Sequence, residues 1–292
     1  MNPSITVTTT VGATVTVTLG TKSVTAIATG GTAKISVWDY GSYSIRAALG
    51  DATGDATVDV IAVQDYAVTV ETVPIPTVLN NATWAQIKEV AEKSHGANYW
   101  AVGDTKQIII DGKVSDGLTL SNYQTWVYII GFDHNSEKEG TGIAFGGFKT
   151  AQTGGVDVAL YDSGYGSSKS SGQWFNMNNN NSTTGGWASC NMRNNTLPLV
   201  KSAMPSDLQS VLKTTTIYTD NTGGSSTAAS YVTATQDELY LLAEFEIFGV
   251  RRSANAAEQN YQQQYSYYAT GNSKIKYSYI STGYPIDWWG RS

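Results

Sequence analysis

From Ser4 to Thr72 apolar and hydroxyl-bearing residues alternate, in runs such as ITVTTTVGATVTVTLG, AKISVW, YSIRAAL, ATVDVIAV and YAVTVE. Alternation at period two puts the apolar set on one face of an extended chain, and β-branched side chains favour that extended form. Gly20, Gly30-Gly31, Gly41, Gly50 and Gly54 punctuate the stretch into about seven short strands, the pattern of a sandwich. The expected fold of residues 1–73 is therefore an all-β, immunoglobulin-like sandwich. Asp39-Tyr40-Gly41-Ser42-Tyr43 has the D-x-G-x-Y form of a tyrosine corner, in which the phenol bonds back to the main chain. Trp38 beside it is expected to fill the core or cap one end. Asp51, Asp55 and Asp59 lack calcium-loop spacing and are expected in a solvated hairpin.

Val73-Pro74-Ile75-Pro76 removes two backbone donors and biases the chain to an extended form, which predicts a linker over 74–82. The remaining 83–292 read as an α+β domain with long loops. Thr83 is an N-cap for TWAQIKEVAEKSH, which places Trp84, Ile87, Val90 and Ala91 on one helical face and predicts a helix to about Ser94. QIIIDGKV, WVYIIGF and GIAFGGF are strand-like, with Asp111-Gly112 as a hairpin signal. Glycine, serine and asparagine from Thr150 to Thr196 predict long surface loops. Further on, Leu197, Val200 and Met204 share a helical face and Ser206 with Gln209 makes a capping-box pair. ELYLLAEFEIFG reads as a buried strand. Glu258, Tyr261, Tyr265 and Tyr268 have helical spacing up to Gly271, and YSYISTGYPIDWWGRS is strand-like.

Composition excludes several functions. With 18 basic against 24 acidic side chains and a net charge of -6, the chain has no cationic surface to hold a phosphate backbone, so no nucleic-acid partner is expected. A single cysteine, Cys190, excludes a disulfide framework and a thiolate zinc site, and is read as a buried free thiol. No stretch approaches the roughly 18 to 20 apolar residues of a membrane span, and no signal-peptide pattern opens the sequence. A charged fraction of only 14% leaves solubility to hydroxyls and amides, an exterior-type surface. Such a surface without a signal or disulfides fits a particle assembled in a cytoplasm and released by lysis, hence a virion protein exposed on the exterior, on tail or capsid.

GGWASCNMR, MPSDLQSVLKTTTIYTDNTGG, LLAEFEIFG, EQNYQQQYSYYATGNSKIKYSY and the closing DWWGRS together resemble a domain of unknown function found at the ends of tail-associated proteins of phages and prophages from gut Firmicutes. That family carries a Trp-Trp-Leu-Arg-Ser-Pro signature, matched here by Trp288-Trp289-Gly290-Arg291-Ser292 with Gly290 in place of leucine. The resemblance covers roughly Thr83 to Ser292. It implies a tail- or fibre-associated role, with other virion proteins and copies of itself as partners. It also implies further strands after the signature, so the domain is expected to be shortened at its end. The closing half of the family is similar to C-type-lectin-like folds, and the first 73 residues are similar to the immunoglobulin-like modules of phage tails and fibres.

Catalysis finds little support. His95 and His134 lie in no nucleophile-elbow or metallohydrolase motif. Asp133-His134-Asn135 with Glu137 and Glu139 is the densest ligand-like cluster, and reads either as an oxygen-rich cation loop or as a hydrogen-bonded turn. Glycoside hydrolysis needs two carboxylates, and Glu244 and Glu246 share a face of one predicted strand, but their apolar neighbours favour core-edge pairing or salt bridging. GTGIAFGGF lacks the elements of a phosphate loop. The expectation is no enzyme, no catalytic residues, no cofactor and no metal. Tyrosine and tryptophan supply rigid amphipathic area and Asn, Ser and Gly supply adaptable hydrogen bonds, which is the chemistry of recognition surfaces. The candidate ligand residues are Tyr277, Tyr279, Tyr284, Trp288, Trp289 and Arg291. For the tryptophans, core packing and a ligand face both remain open, as does a buried carboxylate partner for Arg291. The expected role is host attachment through a surface glycan; the alternatives are capsid decoration or tail assembly without a host ligand, and a polysaccharide depolymerase.

Overall fold

The computed structural model describes residues 2–161, 175–178, 182–224, 227–288 and 290–292. The chain is β-rich with several separate sheets, and its contacts divide it into two units, Met1–Pro76 and Thr77–Ser292.

In the first unit the alternating runs form β1 (Ser4–Thr8), β2 (Thr14–Leu19), β3 (Lys22–Ile27), β4 (Thr32–Ser36), β5 (Gly41–Leu49), β6 (Ala52–Val60) and β7 (Asp65–Thr69). One sheet has the order β4-β1-β7 and the other β3-β2-β5-β6. β1 runs antiparallel to β4, with Ile5 opposite Ile35, and parallel to β7. β2 runs antiparallel to β5, with Val17 opposite Ile45. A slip of one residue would turn every apolar side chain outward, so the alternation itself fixes this register. Ile5, Val7, Val15, Val17, Ile35 and Ile45 meet in one core supplied by both sheets, while the hydroxyl residues between them face out.

The D-x-G-x-Y segment closes as a loop. The Tyr43 hydroxyl donates to the Asp39 carbonyl at 3.0 Å and accepts from the Asp39 amide at 3.2 Å. Trp38 is half-buried edge-on against Tyr43, with ring centroids 5.5 Å apart. Tyr66 repeats the device, bonding to the amide and carbonyl of Ala62 four residues back. Asp55 and Asp59 are solvated as expected and Asp55 pairs with Arg46 at 3.0 Å, but Asp51 is buried.

The division between the two units falls within residues 74–82, between Pro76 and Thr77. Ile75 is buried and belongs to the first unit. Leu79–Asn81 forms a 3-10 turn in the second, where the buried Lys106 ammonium donates to the carbonyls of Ala82 (2.5 Å) and Asn80 (3.3 Å). The helix Trp84–Glu92 follows, capped by reciprocal bonds between Thr83 and Gln86, with Trp84, Ile87 and Val90 buried. It stops two residues short of the expected end because Ser94 takes a left-handed backbone, φ 57°.

The main sheet has the order β10-β9-β8, from β8 (Thr105–Ser115), β9 (Leu118–Phe132) and β10 (Ile143–Lys149). Its first hairpin turns at Asp116-Gly117, since Ser115 pairs with Leu118. Asp111-Gly112, the expected turn, is instead an irregularity inside β8, with Gly112 at φ 140°. A side chain there would sit 3.3 Å from Ala203 Cβ, so glycine admits the helix Leu197–Ala203 close to the sheet. β11 (Val158–Ala159), β14 (Lys276–Ser278) and β15 (Pro285–Ile286) make a small sheet, and β12 (Thr215–Asp220) pairs with β13 (Val232–Asp237).

Four further expectations are corrected. Much of 182–196 is helical and anchored in the core: Trp187, Cys190 and Met192 are buried, and the Trp187 indole donates to Asp237 at 3.1 Å. ELYLLAEFEIFG is not a strand; its second half is the helix Glu244–Phe248, closed by Gly249 in the left-handed region. The tyrosine-rich stretch is two short helical pieces, Ala256–Asn260 and Ser266–Ala269. Glu258 and Gln262 between them bond the Asp220 amide and the Tyr218 carbonyl of β12, which draws the chain out of a continuous helix. Ser206 begins its helix without capping it, because Gln209 bonds the Met204 carbonyl.

Tyr43→Phe removes both backbone bonds of the corner while keeping the ring. The expected loss is about 0.5 to 1.5 kcal/mol, checked by equilibrium urea unfolding.

Candidate binding site

β14 continues the alternation that governs the first unit. Lys276 and Ser278 point inward, and Tyr277 and Tyr279 point to the other face, half-buried. Tyr279 meets Tyr123 of β9 edge-on, with ring centroids 5.6 Å apart, and Tyr161 edge-on at 5.9 Å. The Tyr161 hydroxyl is 3.1 Å from the Ser278 hydroxyl, which ties this residue to β14. Edge-to-face contact fixes the ring orientations, and the three rings stay half-exposed, so the cluster presents apolar faces and phenols together. Tyr284, in the turn before β15, is 83% exposed.

The other candidate residues lie elsewhere. Trp288 packs against the core containing Tyr128, Tyr265 and Tyr268, and its indole donates to the Lys274 carbonyl at 3.1 Å. Trp289 lies outside the described residues. Arg291 is not a ligand residue: its side chain and that of Glu246 are each 1% exposed and form a bidentate ion pair. Arg291 also donates to the Thr219 hydroxyl at 2.9 Å and the Leu241 carbonyl at 2.8 Å. Burial opposes its charge, but the Glu246 carboxylate outweighs burial and holds the guanidinium above its ordinary range.

The two glutamates considered for hydrolysis are thereby accounted for. Glu246 accepts from Arg291 and from the Ala243 amide, and Glu244 accepts from the amides of Arg252, Ser253 and Ala254. The Asp133–Glu139 loop is a hydrogen-bonded turn. Asp133 accepts from the Gly142 amide, and Asn135 donates to the Tyr261 carbonyl. His134 stacks on Tyr265 at 3.6 Å and bonds Glu139 through Nδ1 and the Gln263 carbonyl through Nε2, each at 2.9 Å. Both partners are acceptors, which requires a proton on each ring nitrogen. Among the described residues no group of three or more His, Cys, Asp or Glu is placed to hold a metal ion, and no helix is long and apolar enough to cross a membrane.

Behind β14 lies a cavity of about 580 Å³, within the usual small-molecule range. Its wall includes Trp84, Phe145, Val200, Leu208 and Trp288. Lys276 also lines it, with only 7% of its surface exposed. Its ammonium donates to the Gly147 carbonyl at 2.9 Å and lies 5.3 Å from the Trp288 ring. Burial pulls the pKa of this amine down to about 8.

Sequence reasoning missed Tyr123, Tyr161 and Lys276. For Lys276 a signal existed: in KIKYSYI the lysine falls on the face opposite two tyrosines. Tyr123 and Tyr161 reach Tyr279 only through tertiary pairing, which no local pattern encodes.

Two outcomes follow for stability. Arg291→Met leaves Glu246 buried without its partner and is expected to cost about 3 to 5 kcal/mol, whereas pairing it with Glu246→Leu recovers much of that loss, measured by urea unfolding. For His134, burial disfavours the imidazolium, but the Glu139 hydrogen bond and charge and the Gln263 carbonyl raise the pKa above its ordinary 6.5. Its contribution is complete below 6.5 and is lost as pH rises through the raised value. Thermal melts across that interval should show wild type losing stability relative to His134→Gln.

A family model described as a domain of unknown function, DUF6273, matches residues 167–292, a span holding β12 to β15 and the Glu246–Arg291 pair. No curated protein matches the chain. The chain is thus similar, over less than half its length and within its second unit, to a domain of unknown function.

Proposed function

We propose that this protein is a non-enzymatic component of a phage virion, tail- or fibre-associated, that attaches to a host-surface glycan through the Tyr123–Tyr161–Tyr279 cluster. The observation that carries this reading is the cluster itself: three half-exposed phenol rings held edge-to-face, with Tyr277 on the same face of β14. Sugar rings present apolar faces bordered by hydroxyls, and fixed tyrosines offer both stacking area and hydrogen-bonding phenols. The low charged fraction and the resemblance of the closing segments to phage tail-associated proteins support the same reading. In it, the first unit is an immunoglobulin-like spacer, the second a C-type-lectin-like display domain, and the assembled particle holds several copies.

A second reading, decoration or tail assembly without a host ligand, draws on the first unit. Val11, Ile27 and Ile61 are strongly exposed there, and apolar surface of that kind suits contacts with other virion proteins.

Purified full chain is expected to sediment with cell walls from particular gut Firmicutes. Tyr279→Ala and Tyr161→Ala should each weaken that binding at least tenfold, about 1.4 to 3 kcal/mol, without unfolding the second unit. Wall binding that is unchanged in both variants contradicts the assignment of the site. Failure of wild type to bind any strain, with oligomers intact, favours the assembly reading.

A further inference from the structure

The cavity behind β14 has an uncompensated charge at its wall. Beside the wall residue Lys276 lie a second lysine, Lys149, and one carboxylate, Asp157. Lys149 takes the carboxylate, lying 2.7 Å from Asp157 and 3.0 Å from the Tyr267 hydroxyl. Lys276 is left with the Gly147 carbonyl at 2.9 Å and the Tyr128 hydroxyl at 3.5 Å. Among the described residues no carboxylate lies within ion-pair distance of it. The neighbouring phenols do not supply the missing anion, because burial raises the pKa values of Tyr128 and Tyr268. The other buried charges on the wall, His134 and Glu139, satisfy each other.

A desolvated ammonium without a counter-ion is costly in an apolar enclosure, and burial lowers its pKa to about 8. The same arrangement is complementary to one kind of guest. Gly147, Tyr128 and Trp288, which surround the Lys276 ammonium, all line the cavity, so the charge sits at the wall and not behind it. The volume of about 580 Å³ accommodates a small molecule, and the remaining wall is dominated by aliphatic and aromatic side chains. Asp157 neutralises the neighbouring Lys149, and the one remaining ammonium matches a monoanion better than a phosphate dianion.

We infer that the cavity of the second unit is a binding site for an apolar small molecule bearing one carboxylate, with Lys276 holding the carboxylate and the Trp84, Phe145 and Val200 wall holding the apolar body. Tyr161 of the tyrosine cluster also lines this cavity, but the inference rests on Lys276 and the apolar wall and not on glycan attachment.

Decanoate and decan-1-ol are the matched probes, titrated calorimetrically into the full chain. Decanoate is expected to saturate one site per chain and to bind at least tenfold tighter than the alcohol. Lys276→Met should remove that preference while leaving the alcohol unchanged, and Leu197→Trp, which fills the cavity from its wall, should weaken both. Acetylation of wild-type Lys276, followed by mass spectrometry, gives a readout that needs no variant: decanoate is expected to slow it and decan-1-ol is not. Equal affinity for acid and alcohol, binding without saturation, no binding, or acetylation unaffected by decanoate would each overturn the inference.

Discussion

The second unit depends on one buried ion pair. Glu246 sits in a short helix and Arg291 in the closing segment, and between them they bring β12, the 241–243 stretch and Arg291 itself to a single point. Removing two charges from water is expensive, and their mutual attraction offsets that cost only when every remaining donor and acceptor is satisfied. Here the guanidinium bonds Glu246, Thr219 and Leu241, and Glu246 also takes the Ala243 amide. The backbone amide of Arg291 donates to the Leu242 carbonyl, so main chain and side chain are seated together. Such a pair contributes less to net stability than to specifying a single arrangement, since any shift of the closing segment strands a charge in the core.

That arrangement sorts the aromatic residues by role. Trp288, three residues before Arg291, is drawn inward against Tyr265 and Tyr268. β15 just before it pairs with β14, with Ile286 opposite Lys276. The two-residue period of β14 then sends Lys276 and Ser278 toward the interior and leaves Tyr277 and Tyr279 on the other face. One strand thus serves two surfaces, a tyrosine cluster outside and a lysine-bearing cavity wall inside.

The parts of this structure written in local periodicity were legible in the sequence. The alternation of the first unit, the Tyr43 corner and the Thr83 cap depend on residues within a few positions of each other, and they appear as expected. Where long-range partners compete with local propensity, the sequence misled. Asp111-Gly112 and Asp116-Gly117 carry the same turn chemistry, and only cross-strand pairing decides between them. ELYLLAEFEIFG has the composition of a strand, yet Glu246 is drawn to Arg291 forty-five residues away and Glu244 caps the amides of 252–254. The candidate site was half legible for the same reason: Tyr277 and Tyr279 stand out in sequence, but Tyr123 in β9 and Tyr161 just after β11, which complete the cluster, are far away along the chain. For Arg291 the sequence left a ligand face and a buried carboxylate partner both open, because the partner, Glu246, lies forty-five residues away and leaves no mark near it in sequence.

The central claim is that the Glu246–Arg291 pair seats the closing segment and, through it, both surfaces of β14. Hydrogen–deuterium exchange of wild type and Arg291→Lys tests it directly, because lysine keeps the charge but loses the two-pronged geometry. The account expects faster exchange in Arg291→Lys across 239–248 and 274–288 together, with 4–69 as the internal reference. Faster exchange confined to 290–292, with 274–288 as protected as in wild type, would contradict it.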